Sequence, residues 1–353
     1  MMQTLFRIIG FLSFALSLSC SPSPQKQLED EQALSVEFVE QAAQKKIDVL
    51  VDGKLFTAYR WPDDVYKPIL YPLISSGGTT VTRGFPLEPR EGERNDHRHQ
   101  VGNWLNYGNV NEFDFWGNGH SGERSANGGE IKHVSVEKLE GGAGEGVMIT
   151  SAHWTDPSGK QLLSERTEFH FIAKDSLRII DRITTLTAAS GTVHFKDTKE
   201  GMFGIRVARA LELPSEEEVT VIEKAGASSV VRTSNGSVTG NYRSSEGITG
   251  EKVWSTRAKW MNLFGTVGGE NISLVVCDHP DNINYPTYWH ARGYGLFSAN
   301  PLGVKDFTGG KEELNYSLAP GKSLTFRYRI MIASGHLTDG EINAQADDFA
   351  RKY

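Results

Sequence analysis

Two cysteines in 353 residues, Cys20 and Cys277, leave no room for a disulfide framework or a cysteine-ligated iron–sulfur cluster. Basic residues are outnumbered, 37 Lys and Arg against 44 Asp and Glu, for a formal net charge of −7. No basic stripe interrupts that balance, so nucleic acid is not expected as a partner. Long apolar runs are also missing beyond the first 20 residues, which excludes a bundle of membrane-spanning helices. There is no Gly-x-Ser-x-Gly nucleophile elbow, no phosphate-binding loop and no dinucleotide fingerprint. What is plentiful is glycine, at 37, and aromatics, at 7 Trp, 11 Tyr and 17 Phe. With few apolar stripes at helical spacing, that mixture predicts β architecture.

The N-terminus reads as an export signal. Arg7 precedes the apolar stretch Ile8–Leu18, which is too short to span a bilayer and runs into Ser19-Cys20. Cys20 stands where the lipid-modified cysteine of a bacterial lipoprotein stands, although Ser17 and Leu18 depart from the usual lipobox. The expectation is a signal peptide over 1–20, a tether over 21–45 and one domain over 46–353. The protein would sit in the cell envelope, in the periplasm or at the outer membrane, touching the membrane only through a lipid anchor; a plainly secreted protein is the alternative. Cys277 closes the apolar run Ile272–Val276 and reads as a small buried hydrophobe at a strand end.

Short strand patterns separated by turn residues follow. Ile47, Val49 and Val51 alternate up to Asp52-Gly53, and Leu55–Tyr59 returns, which predicts a hairpin. Residues 164–171 and 177–184 form a second hairpin, linked by Ala173-Lys174-Asp175-Ser176. Leu324, Phe326, Tyr328, Ile330 and Ile332 recur at period two. One helix is predicted near the C-terminus, capped by Thr338 and Asp339, with Ile342, Ala346 and Phe349 as its apolar stripe. Many short strands without βαβ alternation predict an all-β fold, a large antiparallel sandwich.

Chemistry concentrates in three places. Asp96-His97-Arg98-His99-Gln100 leads to Asn109-Val110-Asn111 and Asp114-Phe115-Trp116. Asp197-Thr198-Lys199-Glu200-Gly201 leads to Arg206. Asp278-His279-Pro280 leads through Tyr288-Trp289-His290-Ala291-Arg292 to Asn300-Pro301. Five of the ten histidines lie in or just after the first and third segments when His120 is counted. Burying such a mixture costs free energy unless every polar group finds a partner, which points to a polar site for a hydroxyl-rich molecule. On a strand, His97 and His99 would face the same side and could hold a metal with His279 or His290; they could equally be a surface pair. Glu200 beside Lys199 suits a general acid or base, or a structural ion pair. The aromatic runs at 285–289 and Tyr294-Gly295-Leu296-Phe297 could stack on sugar faces, or pack as core.

These segments, in this order and spacing over roughly residues 45–335, resemble the bacterial PmoA-like family, whose function is essentially unknown despite the label "methane oxygenase PmoA". The family is similar to galactose-mutarotase-like supersandwiches, which implies that fold here. Many members have Pro at the position of Arg98 and His at that of Tyr107; the second departure removes one candidate ligand or base. The methane label does not fit a chain without several long apolar helices.

The favoured reading is an envelope enzyme acting on a carbohydrate, an epimerase, lyase or hydrolase without a cofactor or metal. His97, His99, Glu200 and His290 would move protons. Asp96, Asn111, Lys199, Arg206, Tyr288, Trp289, Arg292 and Asn300 would hold the sugar or stabilise charge. A non-catalytic carbohydrate-binding lipoprotein and a metal-dependent enzyme are the alternatives. Convergence of the His and Glu side chains in one pocket is the feature that separates catalysis from binding.

Overall fold

The structure, a computed structural model, describes Met1 and residues 33–117, 125–224, 227–232 and 236–353. The expected signal peptide beyond Met1, Cys20 and His120 lie outside the described residues, as does 21–32 of the expected tether. Residues Ala33–Tyr353 form one compact unit.

Alternation along the chain decides the layers. In Lys46–Val51 the side chains of Ile47, Val49 and Val51 are buried and those between them are less so, as a strand with one core face requires. Asp52 and Gly53 both take positive φ, at 47° and 72°, the geometry of a type I′ turn, and Lys54–Arg60 returns as expected. The second hairpin is longer than its sequence pattern, Gln161–Lys174 with Leu177–Ala188. Leu177 pairs with Lys174, so only Asp175-Ser176 turns and the four-residue link shortens to two. The tether drawn over 21–45 also ends too late. Ser35–Gln41 is a strand that pairs with Lys46–Val51, with Val36 buried in the core.

Two large sheets result, one of nine strands and one of eight, with neighbours antiparallel throughout. They pack face to face: Phe203 of the nine-stranded sheet stacks on Tyr328 of the other at 4.6 Å, and Phe56 meets Phe171 edge-on at 6.2 Å. The all-β antiparallel sandwich read from the pattern is the observed architecture. Two short ribbons, Val193–Phe195 with Tyr316–Leu318 and Glu218–Ile222 with Ser228–Arg232, sit outside the main sheets. No helix among the described residues is long and apolar enough to cross a membrane.

The outer faces of the two sheets differ. That of the eight-stranded sheet is covered by the helix Asp339–Lys352, whose Ile342, Ala346 and Phe349 pack on Ile179, Trp260, Val275, Cys277 and Met331. Thr338 and Glu341 form a capping box at its start. Cys277 is buried there, and burial pushes its thiol up to about 12. At one end of the nine-stranded sheet lie the strands Tyr288–Ala291, Leu296–Asn300, Gly201–Arg206 and Asn103–Tyr107, in that order. Period two sorts their side chains. Trp289, Ala299, Phe203 and Leu105 form a cross-strand row in the core between the sheets, while His290, Ser298, Gly204 and Trp104 form the next row, on the outer face.

Candidate functional site

That outer face carries a cleft of about 500 Å³, within the roughly 300–1,000 Å³ common for small-molecule sites. His97, His99, Lys199, Glu200, His290 and Arg292 line it. The three chemistry-bearing segments therefore meet, although they lie about a hundred residues apart in the chain.

The first wall is a turn built around one arginine. The Arg83 guanidinium, buried, donates to the carbonyls of Asp96, His97 and Gln100 at 2.9, 2.9 and 3.0 Å. This capture of three acceptors curls 96–100 into a turn rather than a strand, with His97 at φ 43°. The two imidazoles still line one cleft, with centroids 5.8 Å apart and edge-on. The ring of His97 stacks on Tyr294 at 5.0 Å, and its Nδ1 lies 3.1 Å from Asp96 Oδ2. Asp96 Oδ1 accepts from Arg83 at 2.8 Å and from Arg206 at 2.7 Å. Burial alone would raise the Asp96 carboxyl; the bond from His97 and the guanidiniums of Arg206 and Arg83 outweigh it and hold the group well below the usual range. Behind His99, buried Lys67 donates to its carbonyl at 2.7 Å; burial pushes that ammonium down to about 7, opposed by the charge of Asp114.

The second wall is the loop before Gly201–Arg206. Lys199 Nζ lies 2.8 Å from Glu200 Oε1, and that bond raises the lysine. Glu200 is fixed by its backbone, whose carbonyl accepts from Gly108 N at 2.7 Å. A Cβ on Gly108 would stand 2.8 Å from Glu200 Cβ, so the close approach needs glycine.

The third wall is His290, 2% exposed. Its Nδ1 bonds the Lys199 carbonyl at 2.9 Å. A carbonyl only accepts, so the proton sits on Nδ1 and Nε2 keeps its lone pair. Burial, helped by the charge of Arg292, pushes the imidazole down to about 3, so it is neutral at ordinary pH. Asp114, also lining the cleft, behaves oppositely: burial raises its carboxyl, the N–H groups of Gly117 and Trp116 oppose this, and the charge of Glu200 adds to it. A neutral imidazole with a free Nε2 lone pair and a carboxyl moved toward its acid form therefore share one cleft.

Several expected site residues do not reach it. Trp289 points into the core and donates Nε1 to the Ala258 carbonyl at 3.0 Å. Tyr288 stacks on Phe307 at 5.3 Å with Arg257 5.1 Å from its ring, so the aromatic run supplies no free platform. Asn111 bonds the backbone of His194 and Thr192 in the exterior ribbon. Asn300 bonds the Thr198 carbonyl and the Leu302 N–H, holding the Lys199 loop from behind. Arg206 and Asp96 stand behind the lining: Arg206 is buried, donates to Gln100 and Asp96 and lies 4.9 Å from the Tyr294 ring. His279 packs edge-on against Phe349, under the covering helix. Tyr107 faces the core and reaches Thr198 and Leu302, so its departure from the His of the resembled family leaves the cleft lining unchanged. Among the described residues, no group of three or more His, Cys, Asp or Glu side chains is placed to hold a metal ion.

Sequence reasoning named Asp114 in its segment without giving it a role, and passed over Lys67. The Asp114-Phe115-Trp116-Gly117 stretch held a signal for the first: an aspartate two and three residues ahead of the N–H groups it caps, at 2.8 and 2.9 Å, is an Asx-type turn. Lys67 gave none, because its burial is purely tertiary.

An antiparallel sandwich with a polar acid–base cleft on one outer face is thus the class that fold and geometry define. A family of unknown function (DUF6807) matches residues 46–347, and the chain belongs to it. That description carries no methane-oxygenase label. No curated protein matches the chain. Among solved structures, a GH36 α-galactosidase from Geobacillus stearothermophilus is 11% identical with a TM-score of 0.36, over 84% of this chain and 41% of that one. The α-galactosidase from Lactobacillus brevis is 10% identical with a TM-score of 0.37, over 85% and 40%. A protein from Escherichia coli K12 provisionally called an aldose 1-epimerase is 11% identical with a TM-score of 0.31, over 86% and 100%. The chain spans about two fifths of the α-galactosidases, and likenesses this slight say nothing of its activity.

Proposed function

We propose that the chain is a carbohydrate-active enzyme that moves protons on a sugar or sugar derivative, in epimerase, lyase or hydrolase chemistry. The observation that carries this reading is the convergence of His97, His99, Glu200 and His290 on one sugar-sized cleft, the feature that separates catalysis from binding. Nε2 of His290 would abstract the proton, and Asp114 or Glu200 would return one. Lys199 and Arg292 would offset developing negative charge. His97, buttressed by Asp96, Arg83 and Arg206, would bond hydroxyls.

A panel of oligosaccharides and keto-sugars, assayed with wild type and His290→Ala, tests the reading. Turnover that falls about 10²- to 10⁴-fold in the variant is expected for loss of a general base. Binding without turnover of any member would sink catalysis and leave a binding protein. The envelope location rests on the N-terminal residues; labelling with radioactive palmitate, present in wild type and lost in Cys20→Ala, would support a lipid anchor.

A further inference from the structure

Arg292 stands apart from the other guanidiniums around the cleft. Both terminal nitrogens of Arg83 are taken by carbonyls and Asp96, and those of Arg206 by Asp96 and Gln100. Lys199, the other cation of the lining, is paired with Glu200. Arg292 lines the cleft half-buried, yet among the described residues its side chain has neither a hydrogen bond nor an ion pair. It is nonetheless held in place. Its guanidinium carbon lies 5.6 Å from the ring of Trp254 and 5.9 Å from that of Tyr294. Its backbone closes a tight turn, with Arg292 N on the Leu296 carbonyl at 2.8 Å and Gly295 N on the Arg292 carbonyl at 3.0 Å. Contact with the two aromatic rings leaves the in-plane N–H fork without acceptors. Its charge also bears on His290, where it adds to the loss of the imidazole proton.

A charged fork that lines the cleft and has no acceptor in the protein is available to a ligand, and a bond made there, away from bulk water, is stronger than one on the open surface. We propose that the sugar carries a carboxylate, as a uronic acid does, and that Arg292 grips this group in a two-pronged bond while the ring lies toward His290 and Glu200. A planar carboxylate matches the planar fork, and a charge-assisted bidentate pair is among the stronger polar contacts available. This inference rests on the carbohydrate reading above and deepens it.

Titration calorimetry of the full chain with methyl glucuronide, methyl galacturonide, the corresponding neutral methyl glycosides and a sugar 6-sulfate tests it. The uronides are expected to bind about tenfold or more tighter than their neutral partners, as one charged hydrogen-bonded pair provides. Arg292→Gln should abolish that preference, and Arg292→Lys, which keeps the charge without the fork, should restore it only in part. Unchanged melting temperatures in both variants would show that the fold is intact. Equal affinity for neutral and acidic sugars, a preference for the sulfate, or a preference that survives Arg292→Gln would overturn the carboxylate assignment and leave the carbohydrate reading standing. No binding of any sugar to wild type would overturn both.

Discussion

The outer faces of the two sheets carry similar charged residues and use them in opposite ways. On the eight-stranded sheet, Arg329 holds Asp181 through two bonds of 2.6 and 2.8 Å, then reaches Asp348 and the Gln345 carbonyl on the covering helix, each at 2.9 Å. Those donors are spent on the fold, and the apolar stripe of the helix seals the face. On the nine-stranded sheet, the one-turn helix Val304–Phe307 packs against Tyr288 at the end at 288–300 and leaves the cleft beside it open. Arg206 and Arg83 are spent on shaping a turn, while His290 and Arg292 keep a lone pair and an N–H fork toward open space. The same residue types thus become structural or available according to whether their partners lie within the chain.

Four measurements would break or sharpen this contrast. The largest expected effect is on the covered face. Asp181→Ala strips Arg329 of its main partner in the interior and should cost about 3–5 kcal/mol in urea unfolding, as loss of one member of a buried pair does. Phe349→Ala should cost about 3 kcal/mol, from lost burial plus the cavity left behind. Its turnover should stay at the wild-type level at a temperature where both proteins are folded; a drop would mean that the two faces are coupled. Gly108→Ala should cost about 1–3 kcal/mol through crowding against Glu200. It should also lower turnover out of proportion to stability, since the displaced group lines the cleft.

The last measurement is of pH dependence. His290 is held at about 3 in the folded chain, against an ordinary value of about 6.5. As pH falls from about 6.5 towards 3, the unfolded chain gains a proton that the folded chain refuses, so stability is lost on acidification. Asp96, depressed by its hydrogen bond and guanidiniums, adds a loss of the same sign at lower pH. His290→Gln should flatten the dependence between pH 6 and 4 and leave the lower limb. Equal slopes for wild type and variant in that window would show that the imidazole is not held neutral by the fold.

Much of the architecture was legible because local rules produce it. The type I′ turn at Asp52-Gly53, the alternation of Ile47, Val49 and Val51, and the capped stripe Ile342–Ala346–Phe349 each follow from a few neighbouring residues. The candidate site was legible as a set of segments but not as a set of side chains. Trp289 and His290 are adjacent, and sequence alone does not say which faces the core. Only the pairing of 288–291 with 296–300, and of that strand with 201–206, put the indole inside and the imidazole out. His279 misled for the same reason: it shares a segment with His290 but lies beyond the end of a strand in the other sheet. The His97-x-His99 spacing left open whether the two rings share a side, and the distant Arg83 decided it by curling the segment into a turn.

By itself, the sequence determined the main strand pattern and its hairpins, the helix at the C-terminus, and that imidazoles and carboxylates gather in three places. Those follow from period, turn chemistry and composition, all set within about ten residues. The tertiary structure alone decided which of those groups share a cleft, which nitrogen of His290 carries the proton, and which arginine keeps its donors for a ligand. Burial and hydrogen-bond satisfaction depend on partners about a hundred residues away, and such partners become neighbours only when the two sheets close on each other.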